Sequence, residues 1–238
     1  MLRIRDLHLL KDKNGLKDIP QGKILINTIN AHSFNTAQTD GVFAEALTNG
    51  DILIPDGQSI VWACKFWNKK EAPAERCSGW DLFSYEMEKL NSKGGKCLFV
   101  GSTENTLSLI TRQAEKDYPN IAIDTYSPPF EKCISEESSN KIISYINQSN
   151  PDLLWIGMTA PKQEKWAYSH WNSLRINCHC GTIGAVFDFF AGTTKRAPVW
   201  MQRSGLEWFS RLCSEPKRLW KRYLIGNVVF CWNVITKG

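Results

Sequence analysis

Six short apolar runs punctuate the chain: Lys23–Thr28, Ile52–Ile54, Lys96–Val100, Ile121–Tyr126, Pro151–Ile156 and Ile176–Cys180. Each is bounded by Gly, Pro, Asn or Asp, the mark of a buried strand. Between them lie stretches with helical spacing of apolar positions: Gln58–Trp67, Trp80–Lys93, Thr103–Asp117, Ser135–Ser149 and Pro161–Trp171. Ser135–Ser149 shows the pattern well, with Ile142, Ile143 and Ile146 on one face. Met1–Gly22 is mixed and turn-rich and reads as a strand pair or an extended lead-in. In Asn35–Asn49, Asp40-Gly41 marks a turn, and Val42–Leu47 fits a short helix or a strand. Strands alternating with helices predict an α/β fold, a parallel sheet wrapped by helices.

The pattern changes after Gly192-Thr193, the expected boundary between a body, 1–192, and an appendage, 193–238. Two helices are predicted there, Pro198–Cys213 and Pro216–Ile235, each opened by proline. In the second, Trp220, Leu224, Val228, Cys231 and Ile235 form an apolar stripe with Arg218 and Arg222 beside it, and Gly226 is a weak point. Charge sharpens the contrast. From Thr193 onward nine basic and two acidic residues give a net +7, whereas the body carries 20 basic and 22 acidic residues, a net −2. Four of the ten Trp also lie in the appendage. A basic, Trp-rich end on a near-neutral body points to an anionic partner surface.

Composition narrows the remaining choices. No run of eighteen uninterrupted apolar residues exists, so no spanning helix is expected. The eight cysteines show no framework, and Met1–Lys13 has no apolar signal core, which argues for reduced thiols and a cytoplasmic location. Neither a Gly-x-Gly-x-x-Gly fingerprint nor a Walker lysine motif is present, which disfavours dinucleotides and ATP.

Chemistry gathers at the ends of the predicted strands. Thr28 and Asn30, Asp56, Gly101-Ser102, Gly157–Gln163 and Gly181–Asp188 all fall there. In a parallel sheet these ends meet on one edge, where ligands bind. Asp56 could cap the following helix or accept a proton from a substrate hydroxyl, and the convergence favours the second. Arg76, in a polar loop, has the planar fork that suits a phosphate. Gly181-Thr182-Ile183-Gly184 could offer backbone amides to a diphosphate or merely allow close helix–strand packing. Cys178-His179-Cys180 has no partner motif, and alternation puts the two thiols on one face without the imidazole, so buried structural thiols are expected. No metal site is expected.

Several strings carry a resemblance: Thr28-Ile29-Asn30, Asp56-Gly57, Glu75-Arg76, Ala160-Pro161-Lys162-Gln163-Glu164-Lys165-Trp166, Phe187-Asp188, Arg196-Ala197-Pro198, Leu206-Glu207-Trp208 and Glu215-Pro216-Lys217-Arg218 with Arg222-Tyr223. In this order they resemble the WecG/TagA/CpsF glycosyltransferases. The resemblance implies a Rossmann-like catalytic domain with a helical C-terminal appendage that binds the membrane and helps close the site. It implies inverting transfer of a sugar from a UDP-sugar to a polyprenyl-diphosphate-linked sugar, at the inner face of the cytoplasmic membrane, in cell-surface polysaccharide or teichoic acid synthesis. Asp56 then matches the general base and Thr28 a catalytic-pocket neighbour. Asn30, Arg76, Gln163, Asp188, Arg218 and Arg222 match substrate-contacting positions. No cofactor beyond the UDP-sugar donor is implied, and self-association stays open. Cys180-Gly181-Thr182 and Tyr126-Ser127-Pro128-Pro129-Phe130 depart from the family pattern. The rival reading is a basic module for anionic lipid or nucleic acid on a structural body. No nucleic-acid fold signature supports the second of those ligands.

Overall fold

The computed structural model describes residues 2–67 and 70–237. Six strands form one parallel sheet: β1 (Ile24–Ile29), β2 (Ile52–Pro55), β3 (Gly95–Gly101), β4 (Ile121–Tyr126), β5 (Leu153–Gly157) and β6 (His179–Thr182). Their order is β2-β1-β6-β5-β3-β4. Helices cover both faces, so the strands are apolar on both sides, as the unbroken aliphatic runs require. The α/β, Rossmann-like expectation is borne out.

On one face lie α4 (Gly79–Lys93), α5 (Glu104–Asp117) and α8 (Ala185–Phe190). Their core is aromatic: Phe83 packs on Trp155 at 5.6 Å between centroids and Phe99 on Phe187 at 5.4 Å. Gly181 is there because of Trp155, since a Cβ would lie 2.3 Å from the indole ring. On the other face lie α1 (Ala31–Ala37), α2 (Gly41–Thr48), α3 (Gln58–Trp67), α6 (Glu136–Ser149) and α7 (Lys162–His170). Polar side chains define the helix starts. Asn30 caps α1, Asp40 caps α2, and Ser78 with Asp81 closes a capping box on α4.

Several expectations need adjusting. The lead-in forms two short 3-10 turns, Ile4–Asp6 and Asn14–Asp18, rather than strands. Leu2, Ile4 and Leu7 are buried by packing, with no ladder to join. The open stretch Asn35–Asn49 resolves into the end of α1 and all of α2. The last strand begins later than its apolar run: Ile176 and Cys178 are buried, but pairing starts at His179, opposite Ile24 of β1. Burial and strand pairing are separate conditions, and hydropathy reports only the first.

The C-terminal segment folds as α9 (Val199–Arg203), α10 (Glu207–Ser214), α11 (Pro216–Trp220), a π-helical turn at Lys221–Ile225, and α12 (Gly226–Lys237). The expected first helix is split at Gly205, whose φ of +73° turns the chain. The second is interrupted by the π turn, which ends at Ile225, just before Gly226. This segment lies against the body. Phe230 meets Phe34 of α1 edge-on at 5.6 Å, and the Asn35 amide donates to the Gly226 carbonyl at 2.7 Å. Phe230 and Val234 share a buried cluster with Ile29, Phe34 and Leu53.

Candidate active site

Because all strands run one way, their carboxyl ends share an edge. Asp56 follows β2 there, beside the end of β1. Its backbone amide donates to the Ile29 carbonyl at 3.0 Å, which ties the two strand ends together. The Asp56 side chain is no simple cap for the next helix. Its carboxylate accepts the Gly79 amide at 3.3 Å, at the start of α4, and an Arg76 nitrogen at 3.4 Å. Arg76 Nε also donates to the Asp56 carbonyl oxygen. The carboxylate therefore sits between a guanidinium and the positive end of a helix.

Arg76 is held from the other side by the appendage. Glu207, at the first residue of α10, forms an ion pair with Arg76 at 2.8 Å and accepts a hydrogen bond from Arg196 Nε at 3.4 Å. Arg196 in turn lies over the Trp80 ring at 5.3 Å and reaches the Ser78 hydroxyl at 3.5 Å. Burial works against the Arg76 charge, but Asp56 and Glu207 outweigh it and raise its pKa above the usual guanidinium range. A row of alternating charge thus runs Asp56–Arg76–Glu207–Arg196, from the body into the appendage.

Two more arginines arrive with the appendage. The Nε atoms of Arg211 and Arg222 are buried and have no hydrogen-bond partner among the described residues. Burial lowers the Arg222 pKa, and the neighbouring Arg211 charge adds to that effect. Arg211 stacks over Phe189 at 5.5 Å. Its charge and that of exposed Arg218 both act on Asp188 of α8. Guanidinium groups with a buried, unbonded Nε–H are suited to receive an anion. His32 of α1 stands near them: burial first, and the Arg222 charge second, push its imidazole down to about 4. It is neutral at physiological pH, so it adds no positive charge and can donate or accept a hydrogen bond.

The other expected residues are placed as follows. Thr28 is half-buried on β1, in contact range of Gly79. The Asn30 oxygen accepts from the His32 and Ser33 amides at 3.0 and 3.1 Å, so its carbonyl end holds α1 at the site edge. Gln163 is buried. Its carbonyl accepts from the amides of Met158 and Gly184 at 3.2 Å each, joining the loops after β5 and β6. Its amide donates to Glu164 at 2.9 Å. Thr28, Asn30, Asp56 and Arg76 belong to one neighbourhood, and Asp188, Arg211, Arg218 and Arg222 to another. The charges of Arg222 and Asp56 connect the two. Gln163 stands behind them as a brace.

The sequence pattern assigns no role to Glu207, Arg211 or His32. Glu207 and Arg211 lie four apart on α10, and His32 lies two residues beyond Asn30, so strand-end and helical spacing were the available signals. The Cys178-His179-Cys180 segment holds no metal constellation. Both thiols are buried, and His179 instead pairs with Glu86 at 3.1 Å on the opposite sheet face. Among the described residues, no group of three or more His, Cys, Asp or Glu side chains could hold a metal ion.

Fold and site together define an α/β protein with one carboxylate and a set of arginines at the carboxyl edge of its sheet, partly supplied by a C-terminal helical segment. The chain belongs to the glycosyl transferase WecG/TagA/CpsF family, whose profile matches residues 13–238. It is a glycosyltransferase. Among curated proteins it is similar to the N-acetylglucosaminyldiphosphoundecaprenol N-acetyl-beta-D-mannosaminyltransferase of Bacillus subtilis (strain 168), 29% identical over 84% of this chain and 75% of that protein. The enzyme of the same name from Bacillus spizizenii is 29% identical over 76% of this chain and 67% of its own. The one from Staphylococcus aureus (strain MW2) is 26% identical over 82% and 74%. Among the described residues, no helix is long and apolar enough to cross a membrane.

Proposed function

We propose that this enzyme transfers an N-acetylmannosamine-type sugar from a UDP-sugar to the hydroxyl of a polyprenyl-diphosphate-linked N-acetylglucosamine, inverting the anomeric centre. The printed names of the relatives support the acceptor and the sugar type. The observation that carries the reading is the pairing of Asp56 with an arginine-lined edge. Asp56 accepts the proton of the acceptor hydroxyl as its oxygen bonds to the anomeric carbon. The bond from that carbon to the UDP oxygen breaks on the opposite face, and UDP leaves with the electron pair. Charge grows on the departing diphosphate, where Arg211, Arg218 and Arg222 can stabilise it. Arg76 holds the Asp56 carboxylate in place. Asn30 and Thr28 shape the pocket beside it, and Asp188 lies on the donor side. The reading asks for no resident metal, since arginines and helix amides carry the charge.

In this proposal the appendage also holds the enzyme on the inner face of the cytoplasmic membrane, where the lipid-linked acceptor lies. The test is a panel of UDP-sugars scored for UDP release with a short-chain polyprenyl-diphosphate-N-acetylglucosamine. Acceptor-dependent release from one donor supports the reading and names the sugar. Absence of UDP binding would overturn it.

A further inference from the structure

Helix α3 belongs to the body, yet it is apolar on both sides. Its inner face, Ile60, Ala63 and Cys64, is buried in the core. Its outer face presents Trp62, 60% exposed, and Phe66, 70% exposed, four residues apart and so one above the other. A helix with large exposed aromatic side chains opposite its buried face has an unmet partner on that side. The membrane reading assigned to the appendage does not account for these two residues.

The appendage meets α3 at both ends. At its start, a Cβ on Gly205 would come within 2.9 Å of Gln58 and 3.8 Å of the Trp62 ring. At its end, the Trp67 indole N–H donates to the Val234 carbonyl of α12 at 2.8 Å. Exposed apolar residues continue on the appendage, with Trp200 on α9 and Val228 and Trp232 on α12. Charge decides what fits this surface. Helices α3, α9, α11 and α12 contain no Asp or Glu, whereas Lys65 and Lys217 are exposed on them and Lys221 is exposed on the π-helical turn between α11 and α12. A second copy docking about a two-fold axis would set like charges against one another. An anionic leaflet supplies the opposite charge, and indole rings favour the headgroup boundary.

We propose that Trp62 and Phe66 of α3 enter the headgroup layer of an anionic bilayer, so that body and appendage share one lipid-contact surface. This rests on the reading of a lipid-linked acceptor. It adds that the body itself touches the membrane, which fixes how the strand edge faces it. Helix α3 starts two residues after Asp56 and descends about 1.5 Å per residue. Trp62 therefore lies roughly 6 Å along the helix axis from Gln58, the helix's first residue.

The test is co-sedimentation with vesicles of phosphatidylglycerol and phosphatidylcholine. It compares the unaltered protein, the double variant Trp62→Ser/Phe66→Ser and the appendage variant Trp200→Ser/Trp232→Ser. UDP release with a water-soluble short-chain acceptor is measured alongside. The α3 variant should lose at least about tenfold in partitioning while keeping its melting temperature and its release from the soluble acceptor. Partitioning equal to the unaltered protein, with only the appendage variant weakened, would overturn the proposal. So would a change confined to oligomeric state in sedimentation equilibrium, which would make the patch a contact between copies. Normal soluble turnover with no vesicle binding by any form would overturn the α3 proposal and leave the transfer reading standing. Loss of soluble turnover by the unaltered protein would count against the transfer reading instead.

Discussion

At the scale of single residues, Asp56 and Glu164 show how neighbours decide what a carboxyl group does. Asp56 lies at the open sheet edge between Arg76 and the Gly79 amide. Asp56→Asn keeps the shape and an acceptor for that amide but cannot take a proton. Transfer should fall by about 10²–10⁴-fold with an unchanged thermal melt. Activity close to that of the unaltered enzyme would remove Asp56 as the base. Glu164 is fully enclosed, and burial raises its carboxyl from 4.5 to about 7. The folded state therefore holds this proton more tightly than the unfolded chain does. That contribution is complete below about 4.5 and is lost as pH rises from there to about 7. It amounts to roughly 3 kcal/mol. The buried His179–Glu86 pair acts in the same direction. Burial opposes the imidazolium, but Glu86 outweighs it and raises the His179 pKa, so its contribution fades as pH rises through that raised value. Urea unfolding between pH 4 and 8 should show falling stability, and Glu164→Gln should flatten the acidic part of that slope. An equal slope in the variant would show that Glu164 is not the titrating group.

At the scale of elements, the contact between α10 and the Asp56–Arg76 corner links the appendage to the site. Glu207 is the anion between two arginines. Its replacement by Ala leaves Arg76 and Arg196 facing each other with a lost acceptor. This should weaken appendage docking by roughly 1–3 kcal/mol. Hydrogen exchange in Glu207–Ser214 should quicken, and turnover should drop because Arg76 no longer holds Asp56 in place. Exchange rates like those of the unaltered protein would show that α10 is held by other contacts. Glycine also acts at this scale. Gly181→Ala would drive a methyl group into Trp155, and the overpacking should cost about 1–3 kcal/mol, read as a lowered melting temperature. Most of these elements were legible, since long apolar periods and capping residues mark helices α4 to α6 almost to the residue. The short α1 and α2 were less so. Asn30 and Asp40 mark their starts only once one knows that their side chains accept the amides that follow.

At the scale of the whole molecule, the body and the appendage are covered by each other. Phe230 and Val234 close the cluster around Phe34, and Glu207 completes the charge row at the site. Deleting residues from 193 onward should therefore expose the α1 face. The melting temperature should fall by about 10 °C, and the truncated protein should self-associate in size-exclusion chromatography. A truncated protein that melts like the full chain would make 1–192 an independent unit.

The sequence by itself determined the fold class, the parallel sheet and the polar residues at its strand ends. Those follow from local patterns: aliphatic runs, helical spacing, and turn residues that stop each strand. It also singled out Asp56, Thr28 and Asn30, because strand ends in a parallel sheet must share an edge, and Arg76, because a planar guanidinium in a polar loop suits a phosphate. Only the tertiary structure decided that Gln163 braces two loops, that Glu207 ties the appendage to Arg76, and that Arg211 and Arg222 point unpaired nitrogens inward. Those are contacts between residues far apart in the chain. Their energies depend on distance and burial, which no local pattern encodes.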